Sequence, residues 1–224
     1  GDIHEEAYDV LVMAPGASPV KPRSIGGIDG KNVYTVRNVA DIVHLKDGLE
    51  AAGAENTAVI GGGFIGIEVA ENLAKAGTGR EQMVEAMSQI LAPFDYDMVQ
   101  MLHKELLDNG VSLIVDDGVK TIEEKQITLA SGKTVPADAV ILAIGVAPET
   151  GLAKAAGLEI GETGGILVDH NYRTSDKNIY AVGDAIEVFD RMTGKPSRLA
   201  LAGPALRQAR AAADAMYGIP NDNR

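Results

Sequence analysis

Apolar and polar residues fall in blocks along this chain, and the blocks follow two patterns. Short continuous apolar runs end at glycine- or proline-rich segments, while longer stretches repeat apolar residues at helical spacing. Tyr8-Asp9-Val10-Leu11-Val12-Met13-Ala14, closed by Pro15-Gly16, predicts a buried strand of a parallel sheet. Residues 15–32 hold Pro15, Pro19, Pro22 and the glycines 16, 26, 27 and 30, and predict a loop or linker with no packed element. Residues 39–52 predict a helix, with Val39, Ile42, Val43, Leu45 and Leu49 at mostly helical spacing and Gly53 as its stop.

Thr57-Ala58-Val59-Ile60 reads as a strand that runs into Gly61-Gly62-Gly63-Phe64-Ile65-Gly66. A helix follows to Ala76, with Ile67, Val69, Ala70, Leu73 and Ala74 facing inward. After Gly77-Thr78-Gly79 a weak strand covers residues 81–85; residues 77–82 are polar where a buried strand should be apolar, so its placement stays open. A helix over 96–108 and a strand over 111–115 come next. Residues 119–135 predict a small antiparallel excursion, and Ala139-Val140-Ile141-Leu142-Ala143-Ile144, ending at Gly145, a continuous apolar strand. Short elements follow: a helix over 150–156, strands over 166–168 and 179–182, and an Ala- and Arg-rich helix over 204–217. Strands alternating with helices predict an α/β fold around a parallel sheet.

Gly61-x-Gly63-x-x-Gly66 has the context that gives such a motif meaning: a strand before it, a helix after it, and an acid, Glu85, ending the next strand. The first glycine permits the tight turn, the second lets a pyrophosphate approach the backbone, and the third lets helix pack close to strand. With Phe64 and Ile65 opening the helix, free N–H groups and about half a positive charge face the phosphates. Glu85 is placed to accept from both hydroxyls of an adenosine ribose. Its charge would repel a 2′-phosphate, so NAD is favoured over NADP. A purely structural glycine turn is the competing reading.

Composition narrows the field. Hydrophobic residues make up 46% and charged residues 23% of the 224, enough for a sizeable core in roughly one or two domains. Twenty basic against 32 acidic residues give a net charge of −12, which argues against nucleic acid and anionic membranes as partners. That acidity does not forbid an anionic dinucleotide, because screening acts over about 8 Å and the glycine turn works well inside it. There is no cysteine, so disulfides, thiolate zinc sites and a thiol nucleophile are excluded within these residues. His4, His44, His103 and His170 have no sequence partners that suggest a metal. Gly132-Lys133-Thr134 reads as a hairpin turn, because Ile127 stands where a phosphate loop needs glycine. No apolar run approaches a membrane span, the acidic start is unlike a signal peptide, and the default expectation is a cytoplasmic protein.

Four ordered segments carry a resemblance to a known family. They are the run 8–17; Val59-Ile60-Gly61-Gly62-Gly63-Phe64-Ile65-Gly66-Ile67-Glu68; Ile141-Leu142-Ala143-Ile144-Gly145-Val146-Ala147-Pro148; and Thr174-Ser175-Asp176-Lys177-Asn178-Ile179-Tyr180-Ala181-Val182-Gly183-Asp184. Together they resemble the FAD-dependent pyridine nucleotide-disulfide oxidoreductases. Leu201-Ala202-Gly203-Pro204-Ala205 makes the chain most similar to the coenzyme A-disulfide reductase, NADH oxidase and NADH peroxidase branch. The resemblance implies a Rossmann-like NAD-binding domain (31–147) carrying a small antiparallel meander. It would be inserted between two pieces (1–30 and 148–224) of a partial FAD-binding domain, itself Rossmann-like. Glu68 would sit near the nicotinamide and Gly145 in the turn where the two domains meet. Asp184, which alone also fits a helix cap, would hydrogen-bond the ribityl chain of FAD, and Ala14, Gly16 and Gly183 would line the flavin nucleotide.

The family also begins with its own FAD glycine motif and a redox cysteine and ends in a dimerisation domain. Their absence reads as an internal fragment with an incomplete FAD site, from a homodimeric parent. The implied reaction passes hydride from NADH to FAD and on to a small-molecule disulfide (coenzyme A disulfide among them), oxygen or peroxide, with no metal and no catalytic residue in this stretch. A non-catalytic NAD(H)-binding sensor or docking module is the alternative from another class. A structural remnant that self-associates through exposed apolar surface is the third.

Overall fold

The structure, a computed structural model, describes residues 3–220. The chain opens with β1 (Leu11–Met13) and β2 (Ala17–Pro19). Then come β3 (Val33–Thr35), α1 (Val39–Ala52), β4 (Asn56–Ile60), α2 (Phe64–Ala76), β5 (Arg80–Val84), α3 (Tyr96–Asp108) and β6 (Ser112–Ile114). The strands β7 (Val119–Ile122), β8 (Gln126–Leu129) and β9 (Thr134–Pro136) precede β10 (Ala139–Leu142). The last stretch holds β11 (Val146–Pro148), α4 (Gly151–Ala155), β12 (Ile166–Leu167) and β13 (Ile179–Ala181). A short 3₁₀ turn at Gly183–Ala185, β14 (Ile186–Asp190), β15 (Lys195–Ser197) and α5 (Ala202–Met216) complete it. Pro19–Gly145 forms one compact unit, and the described residues on either side of it in sequence form a second.

In the Pro19–Gly145 unit a five-stranded sheet runs β3-β10-β4-β5-β6, parallel at every pairing. Its pleat sends Val59, Met83 and Ile141 to one face, where they pack with Leu45 of α1, Ala70 and Leu73 of α2, and Val99 and Leu106 of α3. The other face carries Ala58, Ile60, Val84, Val140 and Leu142 against Ile122, Ile127, Leu129 and Val135 of the antiparallel meander β7-β8-β9. With both faces covered, β4 and β10 must be apolar at successive positions, hence the continuous runs in the sequence. Helix ends follow local chemistry. Asn38 and Asp41 close a capping box on α1, and Gly53 and Gly77 end α1 and α2 in the left-handed conformation.

The polar stretch that left the second strand open does form it. β5 pairs β4 from Asn56↔Arg80 to Ile60↔Val84 and β6 on its other side. The polar side chains find partners there: Glu81, 5% exposed, accepts from the Thr78 hydroxyl at 3.0 Å. Gln82 donates to the Pro136 carbonyl at 2.8 Å. Two-sided ladder pairing plus satisfied polar groups outweigh weak strand propensity.

Three expectations are corrected. Residues 8–14 do not make a buried strand: only Leu11–Met13 pair, in parallel with β13, and Leu11 and Val12 stay 37% and 48% exposed because β13 is their one strand partner among the described residues. Residues 15–32 are more than a linker, since β2 pairs with β11 and Ile28 is buried in the meander-side core. The helix over 39–52 forms, but it buries Leu45 and Leu49 and leaves Val39, Ile42 and Val43 exposed. In this second unit β12-β14-β15 form a separate small sheet, and Ile166, Ile179, Ala181 and Ile186 centre its core.

Asp138, just before β10, accepts from the Glu55 and Asn56 backbone N–H groups and from the Asn56 side chain. These bonds hold its carboxyl below the usual carboxylate range and fix the start of β4. Asp138→Ala is expected to destabilise the protein by about 1–3 kcal/mol at neutral pH. A depressed folded-state value means that this contribution is complete above the ordinary carboxylate range near about 4 and fades as the pH falls below it. Chemical denaturation of both proteins at pH 7 and at pH 3 should therefore show a gap that shrinks in acid.

Candidate nucleotide site

β4 ends at Ile60 and α2 begins at Phe64, so residues 61–63 must reverse the chain within three positions. Gly61 takes φ +104, and a Cβ on it would lie 2.4 Å from the Ala143 carbonyl oxygen. A Cβ on Gly66 would lie 1.9 Å from the Gly61 carbonyl oxygen. Both glycines are therefore demanded by the protein's own packing of helix, turn and the end of β10. Gly63 differs. Its φ of −78 is open to any residue, it is exposed, and no atom lies within 4 Å of where its Cβ would be. Nothing inside the protein requires glycine there, and the space beside it is open to a close-approaching ligand.

Three groups lie along the turn. The first backbone N–H groups of α2, at Phe64, Ile65 and Gly66, precede any intrahelical acceptor, and Gly63 supplies no side-chain cap. Phe64 and Ile65 are themselves exposed, and Phe64 meets Phe94 edge-on with ring centroids 6.1 Å apart. Glu85 stands at the end of β5, its Oε2 accepting from the Gly62 N–H at 2.7 Å and its Oε1 from the Met87 N–H at 2.8 Å. Each oxygen keeps a second lone pair, so the carboxylate is oriented and can still accept hydroxyls. Glu68 lies exposed on α2 beyond the motif. Gly145 follows β10 with φ +114 and open space around its Cβ position, and its carbonyl accepts from Val20 N–H at 3.0 Å. The turn 61–66, Glu85 and Gly145 stand at the carboxyl ends of β4, β5 and β10, where ligands of open α/β sheets bind.

The remaining expected site residues belong to the second unit. Ala14 and Gly16 follow β1, and Gly183 and Asp184 follow the adjacent β13; the Val182 N–H joins the two strand ends by donating to the Met13 carbonyl at 3.0 Å. Gly16 and Gly183 have φ of +74 and +82, turns that favour glycine. Asp184 is half-buried in the 3₁₀ turn. Sequence reasoning missed Gln208, whose buried Oε1 accepts the Gly183 N–H at 2.7 Å and ties that turn to α5. Its signal was a lone amide on the helix stripe shared with Ala211 and Ala212. Among the described residues no group of three or more His, Asp or Glu could hold a metal ion, and no helix is long and apolar enough to cross a membrane.

Two alanine substitutions separate the packing glycine from the open one. Gly66→Ala is expected to cost about 3 kcal/mol, because backbone must move to admit the methyl. Gly63→Ala should stay within about 1 kcal/mol of wild type. Thermal unfolding of the two variants checks the contrast, and equal losses would contradict it.

Comparison with known proteins gives this geometry a lineage. The model of the family described as pyridine nucleotide-disulphide oxidoreductase matches residues 1–212. An NADH oxidase of Methanocaldococcus jannaschii is 36% identical over 98% of the chain and 49% of its own length. A coenzyme A disulfide reductase of Staphylococcus epidermidis is 29% identical over 96% of the chain and 48% of its own length. The crystal structure of reduced Bacillus anthracis CoADR-RHD superposes with a TM-score of 0.91 at 44% identity, covering 97% of this chain and 39% of that one. The chain thus spans about half the length of the curated relatives it matches, and it belongs to the pyridine nucleotide-disulphide oxidoreductase family.

Proposed function

We propose that this chain is the NADH-binding portion of a flavin-dependent oxidoreductase, with its dinucleotide on the turn 61–66. The observation that carries the reading is Gly63: an exposed glycine with no internal need to be one, at the uncapped start of α2 and near an oriented carboxylate. A pyrophosphate fits that place because backbone N–H groups and the helix dipole meet it without a side chain in between. Glu85, its direction fixed by Gly62 and Met87, accepts from the two hydroxyls of the adenosine ribose. A 2′-phosphate would bring negative charge against that carboxylate, which selects NADH over NADPH.

Glu68 and Gly145 line the nicotinamide half of this site. Ala14, Gly16, Gly183 and Asp184 border the flavin nucleotide; the left-handed turns at Gly16 and Gly183 keep side chains away from it, and Gln208 steadies the second. FAD held there would supply the hydride-accepting and electron-passing chemistry. The 224 residues contain no cysteine, so a thiol for reducing a disulfide such as coenzyme A disulfide would come from outside them. Oxygen and peroxide are the other acceptors in keeping with the family and with a relative named NADH oxidase.

Parallel calorimetric titrations with NADH and NADPH test the reading. NADH should saturate the protein and NADPH should bind at least about tenfold more weakly, a difference of about 1.4 kcal/mol. Glu85→Gln, which keeps an acceptor oxygen but removes the charge, should narrow that gap. Failure of NADH to bind would overturn the assignment of the site. Gly63→Ala should weaken NADH about tenfold in a protein that remains folded, and unchanged affinity would remove Gly63 from the site.

A further inference from the structure

We propose that His103 is a positioning residue of the dinucleotide site, holding the strap of residues 89–91 against Gly62 of the turn. The inference rests on the reading of residues 61–66 as that site. Gly62 is fixed from three sides. Its N–H donates to Glu85 Oε2 at 2.7 Å, its carbonyl accepts from the Leu91 N–H at 2.8 Å, and its Cα presses so closely on Ile90 that a Cβ would stand 2.4 Å from the Ile90 Cγ2. Two of these three constraints come from the strap, so the orientation of the Gly62 N–H, and of the carboxylate it holds, depends on where the strap sits.

The strap does not stay in place through backbone preference. Leu91 is held at φ +44, a left-handed conformation that a branched side chain avoids. Ile90 is fully buried, and its N–H has no strand or helix partner. The acceptor is His103 Nε2 on α3, at 3.4 Å, a long bond but one made to a buried amide. Nε2 can accept only when the imidazole is neutral with its proton on Nδ1. Burial lowers the proton affinity of His103, which favours that form. The side chain of Ile90 shares its core with Val99 and Leu106 of α3, so the helix that supplies the acceptor also supplies the packing. His103 thereby links α3 to the nucleotide turn without touching the nucleotide.

The test compares NADH affinity by calorimetry in wild type, His103→Phe, His103→Gln and Ile127→Ala. Phenylalanine fills the space but offers no acceptor, so NADH should bind about fivefold more weakly, the equilibrium counterpart of one hydrogen bond. Glutamine, with an acceptor oxygen, should restore affinity to near wild type. Ile127→Ala, in the meander-side core away from the strap, should lower thermal stability yet leave affinity unchanged. Nitrogen NMR of wild-type His103 supplies a reading that needs no variant: an unprotonated Nε2 is expected. A protonated Nε2, equal affinity in His103→Phe, no rescue by glutamine, or an equal loss in Ile127→Ala would each overturn the inference. Absence of NADH binding to wild type would overturn it together with the site assignment, so the two failures are distinguishable.

Discussion

The close approach of Gly66 to the Gly61 carbonyl is the contact on which the Pro19–Gly145 unit depends. It brings the first turn of α2 directly onto the end of β4, with no side chain between backbone and backbone. That approach lets Ala70 and Leu73 reach the core beside Val59 and Met83. It also leaves the start of α2 uncapped beside Gly63. The same geometry that closes the core thus opens the site, and the two demands fall on different glycines of one motif.

Polar groups near the turn are used as fasteners. Glu85 joins the end of β5 to Gly62 and to its own following loop. Asp138, just before the neighbouring β10, pins the start of β4 at the opposite end of the strands from the turn. In the second unit Gln208 does for the Gly183 turn what Glu85 does for the Gly62 turn, by accepting a backbone N–H that no strand or helix takes up. Buried backbone donors need partners, and these side chains sit where regular hydrogen bonding runs out. For the proposed nucleotide site, such fasteners fix the groups before any ligand arrives, which lowers the ordering cost of binding.

Much of this was legible in the sequence, for a physical reason. Helices α2 and α3 and the apolar strands β4 and β10 have patterns that follow from burial on one side or two. The glycine motif was readable because strand, turn, helix and acid occur in their working order. The small strands β2, β14 and β15 were not legible, because Ala-Ser-Pro, a Phe-Asp end and Lys-Pro-Ser carry polar or turn-like residues, although Ile186 of β14 is buried in the second unit's core. The exposure of Leu11 and Val12 was equally hidden, since an apolar run looks the same with one neighbouring strand or two. Within the proposed site, sequence spacing singled out Glu85 and Gly63 but could not distinguish packing glycines from the open one. It gave no sign of His103 or Gln208, whose partners are backbone amides distant along the chain.

The most direct test of the central claim is a map of backbone amide shifts on adding NADH to isotope-labelled protein. The account predicts that the largest changes fall on residues 62–66 and 85–87, at the carboxyl ends of β4 and β5, with little change in the meander at residues 119–136. Shifts concentrated on the meander, with the glycine turn unmoved, would contradict it.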